Sequence, residues 1–305
     1  MIGAIKDVLS ARGIPYRERV LSATLCTFRI GGPALLVIEP RCMGELVAAV
    51  KLCVQMEMPF AVIGRGSNVL FDDGEITTVL IRTVALDAVR VIAGGRICAQ
   101  CGVSLARLAQ VAAQVGFADL CFAAGIPGTL GGALYMNAGA YGSSVLQQVE
   151  RTCVLDVQTL ETKTVINDKK NSCYRDSCFR QKNCIVLDAV LHVSEHAVSE
   201  EIAHRMRTFS DLRRKAQPLE LPSAGSVFRR PSAEVALSKI LDELGLKGRR
   251  IGGAEVSQKH AGFIVNTGGA TAENVRALIL EIQNIVEREC GFRPSLELEL
   301  IPKDV

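Results

Sequence analysis

The chain has 305 residues, of which 49% are hydrophobic, 22% charged and 5% aromatic, and its formal net charge is +3. This composition is typical of folded globular proteins and excludes disordered and fibrous chains. The small net charge and the scarcity of aromatic residues disfavour a nucleic-acid-binding protein.

Apolar residues are dispersed, and no run approaches the ~18 consecutive residues that suggest a membrane-spanning helix. Charged residues interrupt the first twenty positions, where a secretory signal would need an apolar stretch. We therefore expect a cytoplasmic protein that does not insert into a membrane. In that compartment its eleven cysteines are expected to be reduced thiols rather than disulfides.

Apolar residues at helical spacing predict a helix over residues 43–58, followed by a short strand over 60–64. The strand leads into the loop 64–68 (GRGSN), whose exposed backbone amides are suited to holding an anion. A Rossmann dinucleotide loop is disfavoured, because Val69 stands where a third glycine would let a helix pack closely on the strand.

Ser104 is predicted to cap a helix that ends near Gly116. The segment 125–142 (GIPGTLGGALYMNAGAYG) then has six glycines in eighteen positions, too many for an ordinary helix or strand. Close approach of its backbone to a ligand would explain this composition. We refer to residues 125–142 as the glycine-rich segment.

Alternating residues predict a hairpin over 150–166 with a turn near Thr159, and 183–193 is predicted to be a buried strand. The first two thirds of the chain are therefore mixed α and β. From Ser199 the pattern becomes helical, which predicts a domain boundary near residue 197 and an apolar stripe formed by Ile202, Met206, Phe209 and Leu212.

Two further helices are predicted, one capped by Ser232 and stopped at Gly245, the other from Thr271 to about Cys290. The strict alternation of 295–301 (SLELELI) predicts a final strand. Its two glutamates, at 297 and 299, would then share one face.

Local chemistry motifs are weak. Cys98 and Cys101 have no second cysteine pair and no nearby histidine, so two small core residues are favoured over a metal or redox site. Neither a Walker A loop nor a G-x-S-x-G motif is present. Basic clusters at 213–215, 229–230 and 247–250 could attract a phosphorylated small molecule, or could be solvated helix ends and loops.

Six segments resemble, in order and over nearly the whole chain, the UDP-N-acetylenolpyruvoylglucosamine reductase family: 27–34, 64–70, 125–142, 173–179, 222–231 and 245–266. The resemblance implies an α+β fold, with a two-subdomain FAD-binding module of the non-Rossmann, PCMH and vanillyl-alcohol-oxidase type, followed by an α+β substrate-binding domain. The module would cover residues 1–196, with subdomains of about 1–66 and 67–196. The substrate-binding domain would cover 197–305.

The resemblance also implies a reaction in peptidoglycan precursor synthesis. NADPH would reduce FAD, and UDP-N-acetylglucosamine enolpyruvate would then receive hydride at its methylene carbon to give UDP-N-acetylmuramate. The residues implied to hold FAD are Gly64, Gly66, Ser67, Asn68, Ile126, Gly128, Thr129 and Gly131. No metal is implied.

Three catalytic residues follow from the same resemblance. Ser226 would donate the proton, Arg175 would stabilise the developing negative charge, and Glu299 would supply the carboxylate, with Glu297 as the competing choice because Leu298 departs from the family pattern. Arg65 also departs from the family pattern, which usually has glycine at this position. Arg230 and His260 fall where family members contact the nucleotide sugar.

Each residue also has a simpler interpretation. Ser226 could be a turn or helix-cap serine, Arg175 could form a surface ion pair with Asp176, and the two glutamates could face solvent. Two other functions also stay open: an oxidase of small alcohols or sugars on the same flavin module, and a nucleotide-sugar binding protein without activity.

Overall fold

The computed structural model describes residues 2–167, 174–181, 183–232 and 235–302. Its helices are α1 (Ile2–Ala11), α2 (Met43–Gln55), α3 (Leu105–Gln114), α4 (Leu130–Tyr135), α5 (Val145–Gln148), α6 (Cys178–Gln181), α7 (Ser199–Ala216), α8 (Leu237–Glu243) and α9 (Ala272–Cys290). Within these described ranges, no helix has both the length and the apolar character needed to cross a membrane.

The strands are short and numerous. They are β1 (Tyr16–Leu21), β2 (Pro33–Ile38), β3 (Phe60–Ile63), β4 (Val69–Phe71), β5 (Val79–Arg82), β6 (Val89–Ile92), β7 (Arg96–Gln100), β8 (Gly139–Ala140), β9 (Ser143–Ser144), β10 (Val149–Asp156), β11 (Thr162–Ile166), β12 (Cys184–His192), β13 (Ser223–Ser226), β14 (Arg250–Ile251), β15 (Ala254–Val256), β16 (Phe263–Asn266) and β17 (Glu299–Ile301).

The chain forms two compact units, each assembled from separate stretches of sequence. The first unit comprises Met1–Arg17, Val37–Arg65 and Val79–Arg213, and the second comprises Glu18–Leu36, Gly66–Thr78 and Arg214–Val305. The contiguous division near residue 197 stays a prediction about domains.

The first unit contains a five-stranded antiparallel sheet in the order β11-β10-β12-β7-β6. The predicted hairpin is confirmed as β10 and β11, and its turn is held by the Asp156 carboxylate, which accepts from the backbone N–H of Gln158 and Thr159. The predicted buried strand is β12, which pairs with both β10 and β7. Helix α4 packs on β7 and β12.

The helices of the first unit follow the predicted signals closely. Helix α2 ends at Gln55, three residues earlier than the apolar spacing predicts. Ser104 caps α3 by accepting from the Arg107 N–H at 3.2 Å, and Gly116 follows the helix in the left-handed region (φ +81°).

Helix α7 begins at Ser199, and its Ile202, Met206 and Phe209 pack with Ala118 and Cys121. The predicted apolar stripe is therefore confirmed for three of its four residues. It is wrong at Leu212, whose side chain is 47% exposed and lies outside this cluster.

The second unit contains the antiparallel sheet β13-β16-β15-β14, on which α9 packs through β14 and β15. Helix α9 is confirmed: Thr271 forms a capping box with Asn274, and Gly291 ends the helix in the left-handed region. Its apolar face is buried through Val275, Leu278, Ile279 and Ile282.

The predicted start of α8 is wrong. Ser232 does not cap α8, because that helix begins at Leu237 after Ala236, and the Ser232 hydroxyl accepts instead from the Val235 N–H. Residues 233 and 234 lie outside the described part of the chain. The stop at Gly245 is confirmed (φ +67°).

The carboxyl-terminal strand is shorter than its alternating sequence predicts. Only Glu299–Ile301 is a strand, and it pairs in parallel with β4. Glu297 and Leu298 are both buried, with exposed fractions of 9% and 4%. The N–H groups of both residues donate to one carbonyl oxygen, that of Val227. The alternation of faces is broken at this point.

Candidate active site

The glycine loop joins β3 to β4, so a strand follows it and not a helix. This is the structural reason why the loop is not of the Rossmann type, in which a helix begins directly after the glycines. Gly66 has φ +62°, and an added Cβ would lie 2.7 Å from Cys26 Cα. Only glycine is tolerated at this position.

Gly64 and Thr129 meet in the first unit. Thr129 is 1% exposed, and its hydroxyl has no hydrogen-bond partner among the described residues. An added Cβ on Gly64 would collide with that hydroxyl. A buried hydroxyl without a partner is costly unless a ligand satisfies it, and here it faces a backbone with no side chain in the way. These two residues therefore fit a bound cofactor such as FAD.

The glycine-rich segment contains the helix α4 and the short strand β8, so the expectation that it has too many glycines for an ordinary helix or strand is wrong. Gly131 lies in α4, where an added Cβ would be 3.0 Å from Cys101 Cβ. At Gly139 an added Cβ would be 2.9 Å from Ser144 Cβ. These two glycines are required by packing within the protein itself, whether or not a ligand also approaches.

Arg175 lies in the first unit and contacts the glycine-rich segment. Its Nη1 and Nη2 donate to the carbonyl oxygens of Asn137 and Gly139 at 3.4 and 3.3 Å. Its guanidinium also lies over the Tyr174 ring, 5.0 Å from the centroid. The residue itself has φ +52°, an uncommon conformation for a side chain of this size. The carbonyl acceptors carry no residue-type signal, so sequence patterns do not reveal them.

Ser226 lies in the second unit at the end of β13, opposite Phe263 of β16. The register shifts between Ser223 and Ser226, and Gly225 within this irregularity has φ +79°. Such bulges redirect a side chain and are common beside active sites. The Ser226 side chain is half-buried and caps no described helix.

Backbone hydrogen bonds connect the Ser226 strand, the glycine loop and the terminal strand within the second unit. Val227 accepts from Glu297 and Leu298 at 2.8 and 3.3 Å. The Glu299 N–H donates to the Asn68 carbonyl at 3.0 Å, and the Asn68 side-chain amide donates to the Glu297 carbonyl at 2.9 Å. The segments that carry Ser226, Asn68 and Glu299 are thus held side by side.

The two glutamates differ in environment. Glu297 is buried at 9% exposure, whereas Glu299 is half-buried in β17. The simple interpretation of both as solvent-facing charges is therefore wrong for Glu297. The difference in burial also distinguishes the two glutamates, which the alternating sequence leaves equivalent.

His260 is half-buried in the second unit, and its ring packs edge-on against Phe263 at 4.9 Å. Its Nδ1 accepts from the Gly262 N–H at 3.1 Å, and burial lowers the pKa of the imidazole. His260 thus lies next to the strand partner of Ser226. Arg230 is exposed.

The cysteines of the described ranges are all free. Cys101 follows β7 in the core, and burial raises the pKa of its thiol to about 12, so it is not a reactive thiol. No group of three or more His, Cys, Asp or Glu side chains in the described ranges could hold a metal ion.

Two family models match the chain. Residues 34–162 match the FAD binding domain, and residues 217–301 match the C-terminal domain of UDP-N-acetylenolpyruvoylglucosamine reductase. These matches confirm the expected architecture of an FAD-binding module followed by an α+β domain.

Curated relatives carry the same reductase name. The chain is 38% identical over 301 residues to UDP-N-acetylenolpyruvoylglucosamine reductase from Caldanaerobacter subterraneus subsp. tengcongensis, covering 99% of this chain and 98% of that one. It is 40% identical over 295 residues to the one from Caldicellulosiruptor bescii, covering 96% and 93%. The crystal structure of the Thermus caldophilus reductase matches with a TM-score of 0.77 at 30% identity, covering 94% and 98%.

Proposed function

The chain belongs to the UDP-N-acetylenolpyruvoylglucosamine reductase family, and on this basis we propose that it reduces UDP-N-acetylglucosamine enolpyruvate to UDP-N-acetylmuramate with electrons from NADPH. The family supplies FAD-dependent oxidoreductases of peptidoglycan precursor synthesis. The proposed site of the reaction is the cytoplasm. The observation that supports the proposal most directly is the set of backbone hydrogen bonds that holds the Ser226 and Glu299 segments together.

FAD would be held in the first unit by the Thr129 hydroxyl, which has no partner among the described residues, and by the backbone of Gly64 beside it. When bound, it would supply the hydride for the substrate's vinyl ether after reduction by NADPH. Thr129 would donate its hydroxyl hydrogen to a cofactor oxygen. Gly64 and Gly66 would offer backbone amides without a side chain in the way. The same role is proposed for Ser67, Asn68, Ile126, Gly128 and Gly131.

Three side chains would handle charge and protons. Arg175 would face the negative charge that develops on the substrate's carboxylate-bearing carbon, a role suited to a permanently charged, planar group. Ser226 would give its hydroxyl proton to that carbon as the methylene carbon gains hydride, and would regain a proton afterwards. Glu299 would supply a carboxyl group able to hold a proton or accept a hydrogen bond. Arg230 and His260 are proposed to bind the nucleotide sugar.

The Ser226→Ala variant tests the proton transfer. Loss of a positioned proton donor typically costs about 10²–10⁴-fold in rate. In single-turnover experiments we expect NADPH to bleach the variant's flavin normally, and the enolpyruvyl substrate to restore its colour at least about 100-fold more slowly than in the wild type.

Ser223→Ala is the matched control, because Ser223 lies on the same strand and contacts Thr27 through its backbone, with its carbonyl oxygen accepting from the Thr27 hydroxyl. The control should react at nearly the wild-type rate. Undiminished product formation by Ser226→Ala would exclude Ser226 as the main proton donor.

The remaining functions are separated by the visible spectrum. An oxidase would lose its bleached state rapidly in oxygen, with no effect of the enolpyruvyl substrate. A binding protein without activity would be colourless and would stay so after mixing with FAD. The proposed reductase should show a flavin spectrum that NADPH bleaches and the enolpyruvyl sugar restores.

A further inference from the structure

The structure distinguishes the basic side chains that the sequence groups into three clusters. Several have partners: Lys247 pairs with Asp242, Arg249 with Glu281, and Arg250 donates to the Gly252 carbonyl. Arg214 and Lys215 are exposed. Arg213 differs from these five residues, because it is half-buried and its side chain has no hydrogen bond or ion pair with any described residue. Among the basic clusters it shares this property with Arg229.

Arg213 lies in the last turn of α7, against the start of the glycine-rich segment. Its Cδ would be only 3.2 Å from a Cβ added to Gly125. Phe209, one turn earlier on the same helix face, stacks on Tyr141 with ring centroids 4.4 Å apart and planes 11° from parallel. The Tyr141 hydroxyl also donates to the Phe209 carbonyl at 2.8 Å. The end of α7 is thus packed on both ends of the glycine-rich segment, within the first unit.

A guanidinium that is partly removed from water without a counter-ion is unfavourable, and partial burial lowers the pKa of Arg213. The helix dipole does not require this arrangement, because Arg214 and Lys215 place exposed positive charge on the same turn without desolvation. A half-buried arginine with free donors is suited to an oxyanion, and the planar fork of the guanidinium matches phosphate in particular.

We propose that Arg213 binds a phosphate oxygen of a nucleotide ligand that lies along the glycine-rich segment. This inference rests on the proposed function, which brings three phosphate-bearing nucleotides to the protein: FAD, NADPH and the UDP-sugar. The FAD diphosphate is the first source to test, since Gly125 directly precedes Ile126, Gly128 and Thr129, for which cofactor binding is proposed.

The experiment compares Arg213→Met, Arg213→Lys and the matched control Arg214→Met. Arg214 is the exposed neighbour on the same turn, so its variant removes the same formal charge. Flavin-free protein is titrated with FAD, FMN and riboflavin by fluorescence, and KM is measured for NADPH and for the enolpyruvyl sugar. FAD carries a diphosphate, FMN a single phosphate and riboflavin none, so the three titrations show whether Arg213 contacts a phosphate.

For Arg213→Met we expect FAD affinity to fall on the order of 10- to 100-fold, the size of a charge-assisted hydrogen bond, with riboflavin affinity unchanged. Arg213→Lys should recover part of the loss, and Arg214→Met should match the wild type. A comparable rise in KM for NADPH or for the enolpyruvyl sugar, at constant FAD affinity, would support the contact and assign the phosphate to that nucleotide.

The melting temperature of the flavin-free protein separates binding from a structural role. Replacing an unpaired, half-buried charge by methionine should leave that temperature unchanged or raise it, whereas removing a structural residue should lower it. Unchanged FAD affinity and KM values, or a lowered melting temperature of the flavin-free variant, would overturn the inference. Wild-type protein that binds no FAD would instead overturn the proposed function itself.

Discussion

Proposed site residues lie in the glycine-rich segment of the first unit and in the carboxyl-terminal segment 295–301 of the second. The two segments differ in the parts played by backbone and side chains. In the glycine-rich segment the backbone dominates: its carbonyls accept from Arg175, and its glycines permit close packing. In the carboxyl-terminal segment side chains carry the proposed chemistry, and the backbone holds them in register with Val227 and Asn68. Substitutions should therefore act on stability in the first region and on catalysis in the second.

The largest expected effect sharpens this contrast in the carboxyl-terminal segment. Glu299→Gln should lower kcat by about 100-fold or more, because it removes the proposed catalytic carboxyl group but keeps its shape. Glu297→Gln is the matched variant two residues away, at a buried position that lies beside the Val227 pairing. It should keep kcat within about tenfold of the wild type, below the usual range for loss of an acid or base.

Steady-state turnover with NADPH and the enolpyruvyl sugar measures both variants. Flavin reduction by NADPH should proceed normally in each, which places the defect of Glu299→Gln in the second half-reaction. If Glu297→Gln were the inactive variant and Glu299→Gln active, the assignment of the catalytic carboxylate would pass to Glu297.

A smaller effect tests the glycine-rich segment. Gly131→Ala should destabilise the protein by about 1–3 kcal/mol, since its Cβ would meet Cys101 Cβ at 3.0 Å in a packed core. The adjacent Gly132→Ala is the matched control, because it is exposed and its nearest contact would be 3.8 Å away. Alanine in place of glycine in a helix should stabilise it by up to about 1 kcal/mol.

Denaturant unfolding of the two variants gives both free energies directly. We expect the free energy of unfolding to fall in Gly131→Ala and to rise in Gly132→Ala. Equal destabilisation by both would mean that the short helix α4 tolerates no side chain on either face, and a neutral Gly131→Ala would mean that the contact with Cys101 is not tight.

Most helices and strands could be predicted from the sequence, because their signals are local. Ser104 and Thr271 cap their helices as their residue types predict, and Asp156 fixes the turn of the predicted hairpin. The failures have tertiary causes. The alternation of 295–301 is broken because two N–H groups share the Val227 carbonyl, a partner some seventy residues away in the chain.

The site was predictable to a different extent. The resemblance names Arg175, Ser226 and Glu299 as candidates, and the structure places the segments of the latter two together in the second unit. The carbonyl acceptors of Arg175, the orphaned Thr129 hydroxyl and the burial of Arg213 depend on contacts between distant segments. No residue pattern encodes them.

The smallest expected effect is on the pH dependence of stability, and we expect it in the second unit. The glycine-rich segment contains no histidine, acid or basic residue, whereas His260 lies beside the Ser226 strand partner in the second unit. Burial lowers the pKa of His260, and its neutral Nδ1 accepts from Gly262. Protonation would place a hydrogen on that nitrogen and break the bond.

The unfolded chain therefore binds this proton more readily than the folded protein does. The stabilisation is fully present above the unfolded histidine pKa of about 6.5 and is lost as the pH falls below it. The His260→Asn variant has a side-chain oxygen that can accept from Gly262 at any pH in this range. It should therefore lack this part of the pH dependence, which amounts to a change on the order of 1 kcal/mol or less in the free energy of unfolding. Urea unfolding of both proteins between about pH 5 and pH 8 measures the difference, and parallel stability curves would show that His260 stays unprotonated or contributes nothing in this window.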